Sequence, residues 1–257
     1  MTVADKDLVY VVTGASRGLG LEFVTQLLHK GHLVVAAARN PKKSSGLESL
    51  ASKYGSALTL VTLDVSDADS IKAAAQSISE AHPNGIDVLI NNAGILGSFV
   101  RSSEHDAGEL KDILITNVVG PLLVTQHLLP LIRKGTKKQI VNISSTMGSV
   151  SGALKYLKEG LNPMSKMQLG YRASKSALNM ETAALALDLH DEGITIISIC
   201  PGWVATDMGS SSAAAMKIAG PGLDAPTSIA GMLKVVEGLT LEQTGTFYNY
   251  QGNVVPY

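Results

Sequence analysis

The chain has 257 residues, a formal net charge of -1 and a single cysteine, Cys200. That length suits one large α/β core, and the mixed, near-neutral charge excludes a nucleic-acid or membrane surface built on a basic patch. One cysteine excludes an internal disulfide, and its place in the apolar run 196–200 marks a buried, inert thiol.

Residues 1–7 lack the apolar core of a signal peptide, and no apolar run approaches the ~20 residues of a membrane span. The expectation is a soluble protein of a reducing compartment, most simply the cytoplasm. Residues 8–12 are a short apolar run closed by Thr13-Gly14-Ala15-Ser16-Arg17-Gly18-Leu19-Gly20, after which 21–30 reads as a helix ended by Gly31. A glycine turn between strand and helix suits a phosphate: Gly14 permits the tight turn and Gly18 lets the backbone approach a pyrophosphate. Gly20 allows close helix packing, and the helix N-terminus offers free N–H groups. Residues 33–38 read as the second strand. The position just past it reads the adenosine ribose, an acid holding a 2′-hydroxyl and an arginine accommodating a 2′-phosphate. Arg39 stands there with no acid, so NADP(H) is expected over NAD(H), and Arg17 offers a second guanidinium.

The alternation continues with a strand at 58–63, a helix at 66–80 with Ser66 as its N-cap, and a strand at 87–90. Residues 110–132 read as a long helix that carries Asn117 inside an apolar run, where an amide needs partners. The next strand, from residue 140, ends in Ser144-Ser145, and a serine there can donate a hydrogen bond to a substrate oxygen. Tyr171 and Lys175 share one helix face at i and i+4, so the ammonium lies against the phenol. A phenol titrates near ~10, and a neighbouring cation favours the phenolate, pulling it toward general acid–base use. A strand follows at 195–200, a Ser, Ala and Gly-rich mobile lid at 209–225, a helix at 228–238 and a last strand at 245–250. Strands alternating with helices predict a parallel sheet with right-handed crossovers.

The T-G-x-x-x-G-x-G turn, Leu63-Asp64-Val65, Asn91-Asn92-Ala93-Gly94, Ser145, the Tyr171/Lys175 pair and the Pro201-Gly202 loop together resemble the short-chain dehydrogenase/reductase family over essentially the whole chain. The resemblance implies an α/β fold of Rossmann type. It is a doubly wound, mostly parallel seven-stranded sheet of order 3-2-1-4-5-6-7 with helices on both faces, in one domain spanning 1–257. It further implies a catalytic set of Asn117, Ser145, Tyr171 and Lys175, and no metal. The implied cofactor contacts begin at the first turn with Gly14, Ser16, Arg17, Gly18, Leu19 and Gly20, continue with Arg39, and place Asp64 and Val65 at the adenine. Asn91, Ala93 and Gly94 follow, then Tyr171 and Lys175, and finally Pro201, Gly202, Val204 and Thr206 at the nicotinamide carboxamide. Segments 170–180, 201–209 and 247–256 resemble the C-factor and sniffer-like carbonyl reductases.

Two function classes follow from that resemblance: an NADPH-dependent carbonyl reductase acting on a ketone, aldehyde or quinone, or a cofactor-binding signalling protein of C-factor type. The chain departs from the family in one place. Tyr171 lies 171 − 145 = 26 positions after Ser145, well over the usual spacing, and the insertion at 150–169 reads as an amphipathic helix over the site mouth. Trp203 can line the pocket. The apolar stripes around the two long helices predict a homodimer.

Overall fold

The computed structural model describes residues 7–161 and 163–257. Residues 1–6, on which the signal-peptide reading rests, and Asn162 of the insertion lie outside the described residues. The strands β1 (Val9–Thr13), β2 (Leu33–Ala38), β3 (Leu58–Thr62), β4 (Val88–Asn91), β5 (Gln139–Ile143), β6 (Thr195–Cys200) and β7 (Phe247–Asn249) form one parallel seven-stranded sheet, in the order β3-β2-β1-β4-β5-β6-β7. These strands are mostly apolar along their length, rather than alternating with polar residues, because both faces of the sheet are covered. Alternate residues of one strand therefore belong to different cores. Tyr10, Val12, Val34 and Ala36 join Phe23, Leu27, Leu47, Met232 and Leu233 on one side. Val11, Val35 and Ala37 join Ile71, Ile78, Val124, Leu128, Ala186 and Leu189 on the other.

The first side is covered by α1 (Gly18–His29), α2 (Ser45–Tyr54) and α9 (Ala225–Glu237), the second by α3 (Ala68–Ala81), α5 (Gly120–Ile132) and α7 (Leu169–Leu189). The α3 cap is Asp67, whose carboxylate accepts from Asp69 and Ser70 N–H, and not Ser66, whose groups serve Asp64 instead. A helix absent from the sequence reading, α2, is capped by Ser44 and buries Leu47. The expected long helix begins earlier, at α4 (Ala107–Leu114) behind an Asp106 cap, and runs through a π turn at Ile115–Val119 into α5. By length and composition this Ala107–Ile132 stretch could cross a membrane, with mean hydropathy 1.4 in its most apolar 18-residue window. In this fold Ile113, Val124, Leu128, Leu131 and Ile132 are buried in the protein interior.

The expected mobile lid is also different. Its first half is helix, α8 (Asp207–Met216), capped by the Thr206 hydroxyl on Gly209 N–H. Its Ser and Ala residues were read as loop-formers, but alanine favours helix more than any other residue. The insertion contains α6 (Val150–Glu159), capped by Ser149, and a 3₁₀ turn at Pro163–Lys166.

Candidate functional site

Every residue singled out above lies at or just beyond the carboxyl ends of the strands, or on α7 and the π turn facing them. Strand order reverses between β1 and β4, which is where parallel α/β sheets open a ligand crevice. The turn after β1 is built to be narrow. Gly14 and Gly18 take left-handed φ values of 66° and 55°, which favour glycine. A Cβ on Gly14 would meet Ala93 Cα at 2.8 Å, and one on Gly20 would meet the Gly14 carbonyl oxygen at 2.2 Å. So Gly20 serves the folding of the turn on itself rather than packing of α1 on the sheet. Thr13 Oγ1 accepts from the N–H groups of Asn92 and Ala93, while Asn92 Nδ2 donates to the Thr13 and Gly14 carbonyls. Asn92 stands outside the expected cofactor contacts, and its amide ties the loop backbone together, as the asparagines of this motif can be expected to do. The N-terminus of α1 has no side-chain cap and no acid in its first turn, so its N–H groups face the crevice unsatisfied by side chains.

At the β2–β3 end, Arg39 is exposed, and no hydrogen bond or ion pair holds it among the described residues. Asp64 turns a carboxylate oxygen to Ser66 N–H (3.0 Å) and Oγ (2.6 Å). The Ser66 hydroxyl holds that carboxyl below its ordinary range, with Arg39 adding a smaller push the same way. Arg17 pairs with Asp207 at 2.8 Å across the mouth of the glycine turn, with both side chains about three-quarters exposed. Asn91 faces inward: it is 3% exposed and donates to Thr125 Oγ1 and Asn142 Oδ1 beneath the crevice floor. Val65 is buried, and its carbonyl closes on Gly120.

At the chemistry end, α7 carries Tyr171 and Lys175 to the end of β5. The Ser145 hydroxyl lies close enough to the Tyr171 phenol to favour its ionised form. Lys175 Nζ lies 5.6 Å from the Tyr171 ring centroid, so the two side chains share a helix face as the spacing predicts. Its donated bond, however, goes to the Ile143 carbonyl at 2.8 Å. Asn117, wholly buried in the π turn, accepts from Ile95 N–H and donates to the Ile95 carbonyl, both at 2.8 Å, and to Ser174 Oγ at 3.0 Å. A Cβ on Gly94 would stand 3.2 Å from Asn117 Oδ1 and 3.7 Å from Lys175 Nζ. The loop after β4, the π turn and α7 thus meet at one point.

The electrostatics differ from the sequence expectation. Burial raises the Tyr171 phenol well above its ordinary value, with the Cys200 thiol adding to the rise and the nearby Ser145 hydroxyl opposing it. Burial also pulls Lys175 down to about 8. With its ammonium turned to a carbonyl, the lysine does not outweigh the desolvation of the phenol.

Two further walls frame the crevice. No residue of α6 is buried, and Val150, Leu154 and Leu157 are exposed along it. Beyond it, Gln168 N–H donates to the Val100 carbonyl, and Ser102 Oγ donates to the Lys166 carbonyl, tying the insertion to the loop before α4. On the opposite side Gly202 takes φ 82°, Trp203 Nε1 donates to Ser212 Oγ at 3.0 Å, and Val204 pairs with Leu223. Trp203 thereby anchors α8 and is 40% exposed. Thr206 comes within 3.7 Å of a Cβ on Gly18, so the loops after β1 and β6 converge.

The short chain dehydrogenase family model matches residues 8–217. The chain resembles the NADPH-bound carbonyl reductase from chicken fatty liver, with a TM-score of 0.85, 36% identity and coverage of 98% of this chain and 99% of that one. It resembles carbonyl reductase Sniffer of Drosophila melanogaster with the same TM-score of 0.85, 32% identity and coverage of 98% and 99%. C-signal of Myxococcus xanthus is 37% identical over 67% of this chain and 93% of its own length. The chain belongs to the short-chain dehydrogenase family, in which its likeness is to the C-factor and sniffer-like type.

Proposed function

We propose that the chain is an NADPH-dependent carbonyl reductase that reduces a ketone, aldehyde or quinone. The observation that carries the reading is the meeting of Tyr171 and Lys175, on one face of α7, with Ser145 just after β5 and the buried Asn117 of the π turn. The residues present fit the cofactor. The turn has no room for a Cβ at Gly14 or Gly20, the α1 N-terminus is uncapped, and Arg39 is an exposed cation where a 2′-phosphate would come to rest. The NADPH-bound chicken liver enzyme supports the same choice of nucleotide.

NADPH, when bound, supplies a hydride to the carbonyl carbon. Ser145 orients and polarises the carbonyl oxygen by donating a hydrogen bond, and Tyr171 gives that oxygen its proton. A phenol raised by burial stays protonated at neutral pH, the state a reduction needs. Lys175 is the cation placed to stabilise the phenolate left behind and to hold the ribose hydroxyls. Asn117 keeps the π turn and the Ile95 loop fixed beside it, sustaining the route by which the tyrosine is reprotonated.

The reading is tested by NADPH consumption with a panel of activated ketones, aldehydes, quinones and isatin, run beside NADH. Turnover with NADPH in clear preference to NADH is the expected result. Tight NADPH binding with no turnover of any member would favour the signalling reading that the likeness to C-signal raises. The active form is proposed to be a homodimer, supported by Met180 and Leu187, which are 70% and 83% exposed on the outer face of α7. A mass of one chain in light scattering at micromolar concentration contradicts the dimer.

A further inference from the structure

The end of β5 is gripped by a single face of α7. Asn142 Nδ2 donates to Thr182 Oγ1 at 2.9 Å, the Ile143 carbonyl accepts from Lys175 Nζ at 2.8 Å, and Ser144 Oγ donates to Asn179 Oδ1 at 2.6 Å. Positions 175, 179 and 182 are successive steps of one helix stripe, so the last two residues of β5 and the one after them meet three rungs of one face. All of them are buried. The residue that follows this grip is Ser145.

Asn179 is costly for a core position that only has to be filled. It is 2% exposed, and its Nδ2 finds no partner among the described residues. A leucine of similar size would leave no amide donor unsatisfied. What the amide provides, and leucine cannot, is the acceptor for Ser144. Beyond Ser145 the segment is held again. Met147 N–H donates to Ser145 Oγ at 3.1 Å, and Ser176 Oγ donates to the Gly148 carbonyl at 2.6 Å. The N–H bond to Ser145 Oγ occupies an acceptor site and leaves the hydroxyl proton for donation. Segment 144–148 is thus fastened to α7 at both ends, with the Ser145 hydroxyl between them.

We infer that Asn179 is a positioning residue of the proposed reaction: by accepting from Ser144 it fixes the direction in which Ser145 presents its hydroxyl to Tyr171 and to the carbonyl oxygen. The inference rests on the reading of Ser145 and Tyr171 as the reacting pair. Its leverage is geometric, because a displacement of about 1 Å at a reacting group can cost roughly 100-fold in rate.

The test is steady-state kinetics of Asn179→Leu and Asn179→Asp, each in the wild-type and the Ser145→Ala background, with the carbonyl compound turned over fastest in the panel. Asn179→Leu should lower kcat by about 10–100-fold while the KM for NADPH stays within about twofold. Asn179→Asp keeps the acceptor and should recover most of that loss. In the Ser145→Ala background Asn179→Leu should add nothing, because its effect passes through the hydroxyl already removed. A purely packing role would instead lower thermal stability and reduce kcat equally in both backgrounds, and that result overturns the inference. Should Asn179→Leu not fold, Ser144→Ala removes the other partner of the same bond, and wild-type kcat in that variant overturns the inference equally. Ser145→Ala at wild-type rate would sink the underlying reading and the inference with it. An inactive Ser145→Ala beside a fully active Asn179→Leu sinks the inference alone.

Discussion

At the chemistry end of the crevice Asn117 and Lys175 are 0% and 5% exposed, and each already holds a backbone carbonyl. At the adenosine end Arg39 lies in solvent, and Arg17 leans on Asp207 through an ion pair whose members are 75% and 77% exposed. The two ends face opposite demands. Groups that stabilise charge during the reaction gain from being fixed beforehand in a dry site. A group that recognises a phosphate keeps its charge by staying hydrated until the phosphate arrives. The first end should therefore govern rate and the second cofactor choice.

The sharpest way to break this division is Tyr171→Phe. It removes the proton donor and leaves the ring, so turnover should fall by ~10²–10⁴-fold with the fold and NADPH binding retained. Wild-type turnover would refute the proton-transfer role, and lost NADPH binding would show that the two ends are not separate. Arg39→Asp comes next. Replacing the phosphate partner by an acid should weaken NADPH binding by roughly 10–150-fold, the equivalent of about 1.5–3 kcal/mol, and move preference toward NADH. Equal use of both nucleotides by the unaltered protein would show that Arg39 does not read the phosphate.

A third prediction concerns pH. Burial lowers Lys175 from its ordinary 10.5 to about 8. Between those pH values the unfolded chain binds the extra proton, so unfolding free energy should rise as pH climbs through that window. Lys175→Met should lose that rise, as read by urea denaturation at pH 8 and 10. A parallel slope in both proteins would contradict the burial of this ammonium. The smallest effect is expected at Asp207→Asn, which breaks an exposed ion pair and should change stability by less than about 1 kcal/mol. A larger loss would mean that the ion pair between the glycine turn and α8 is structural.

The same contrast explains what was legible in the sequence. Strand positions follow from short, mostly apolar runs and glycine turns, and those patterns are local; the sheet order is what the family resemblance implies. The Tyr171/Lys175 face is legible too, because helix periodicity alone brings i and i+4 together. What the ammonium bonds to is not: Ile143 lies 32 positions away in sequence and reaches Lys175 only when β5 packs on α7. The inward turn of Asn91 and the grip of Asn179 on Ser144 are hidden for the same reason, since each partner is distant in the chain. The Ser66 cap failed because Asp67 next to it is an equally good cap and Ser66 serves Asp64. The helix within 209–225 is hidden because a composition rich in Ser, Ala and Gly suits a loop and a capped helix alike, and the Thr206 cap decides it.

The account stands on the separation of the two ends, and one experiment addresses it directly: measuring kcat and the equilibrium Kd for NADPH on the unaltered protein, Tyr171→Phe and Arg39→Asp in parallel. The account predicts that Tyr171→Phe lowers kcat with Kd within about threefold of the unaltered value, and that Arg39→Asp raises Kd by at least about tenfold while kcat at saturating NADPH is little changed. Both variants changing kcat and Kd together, to a similar extent, would contradict it.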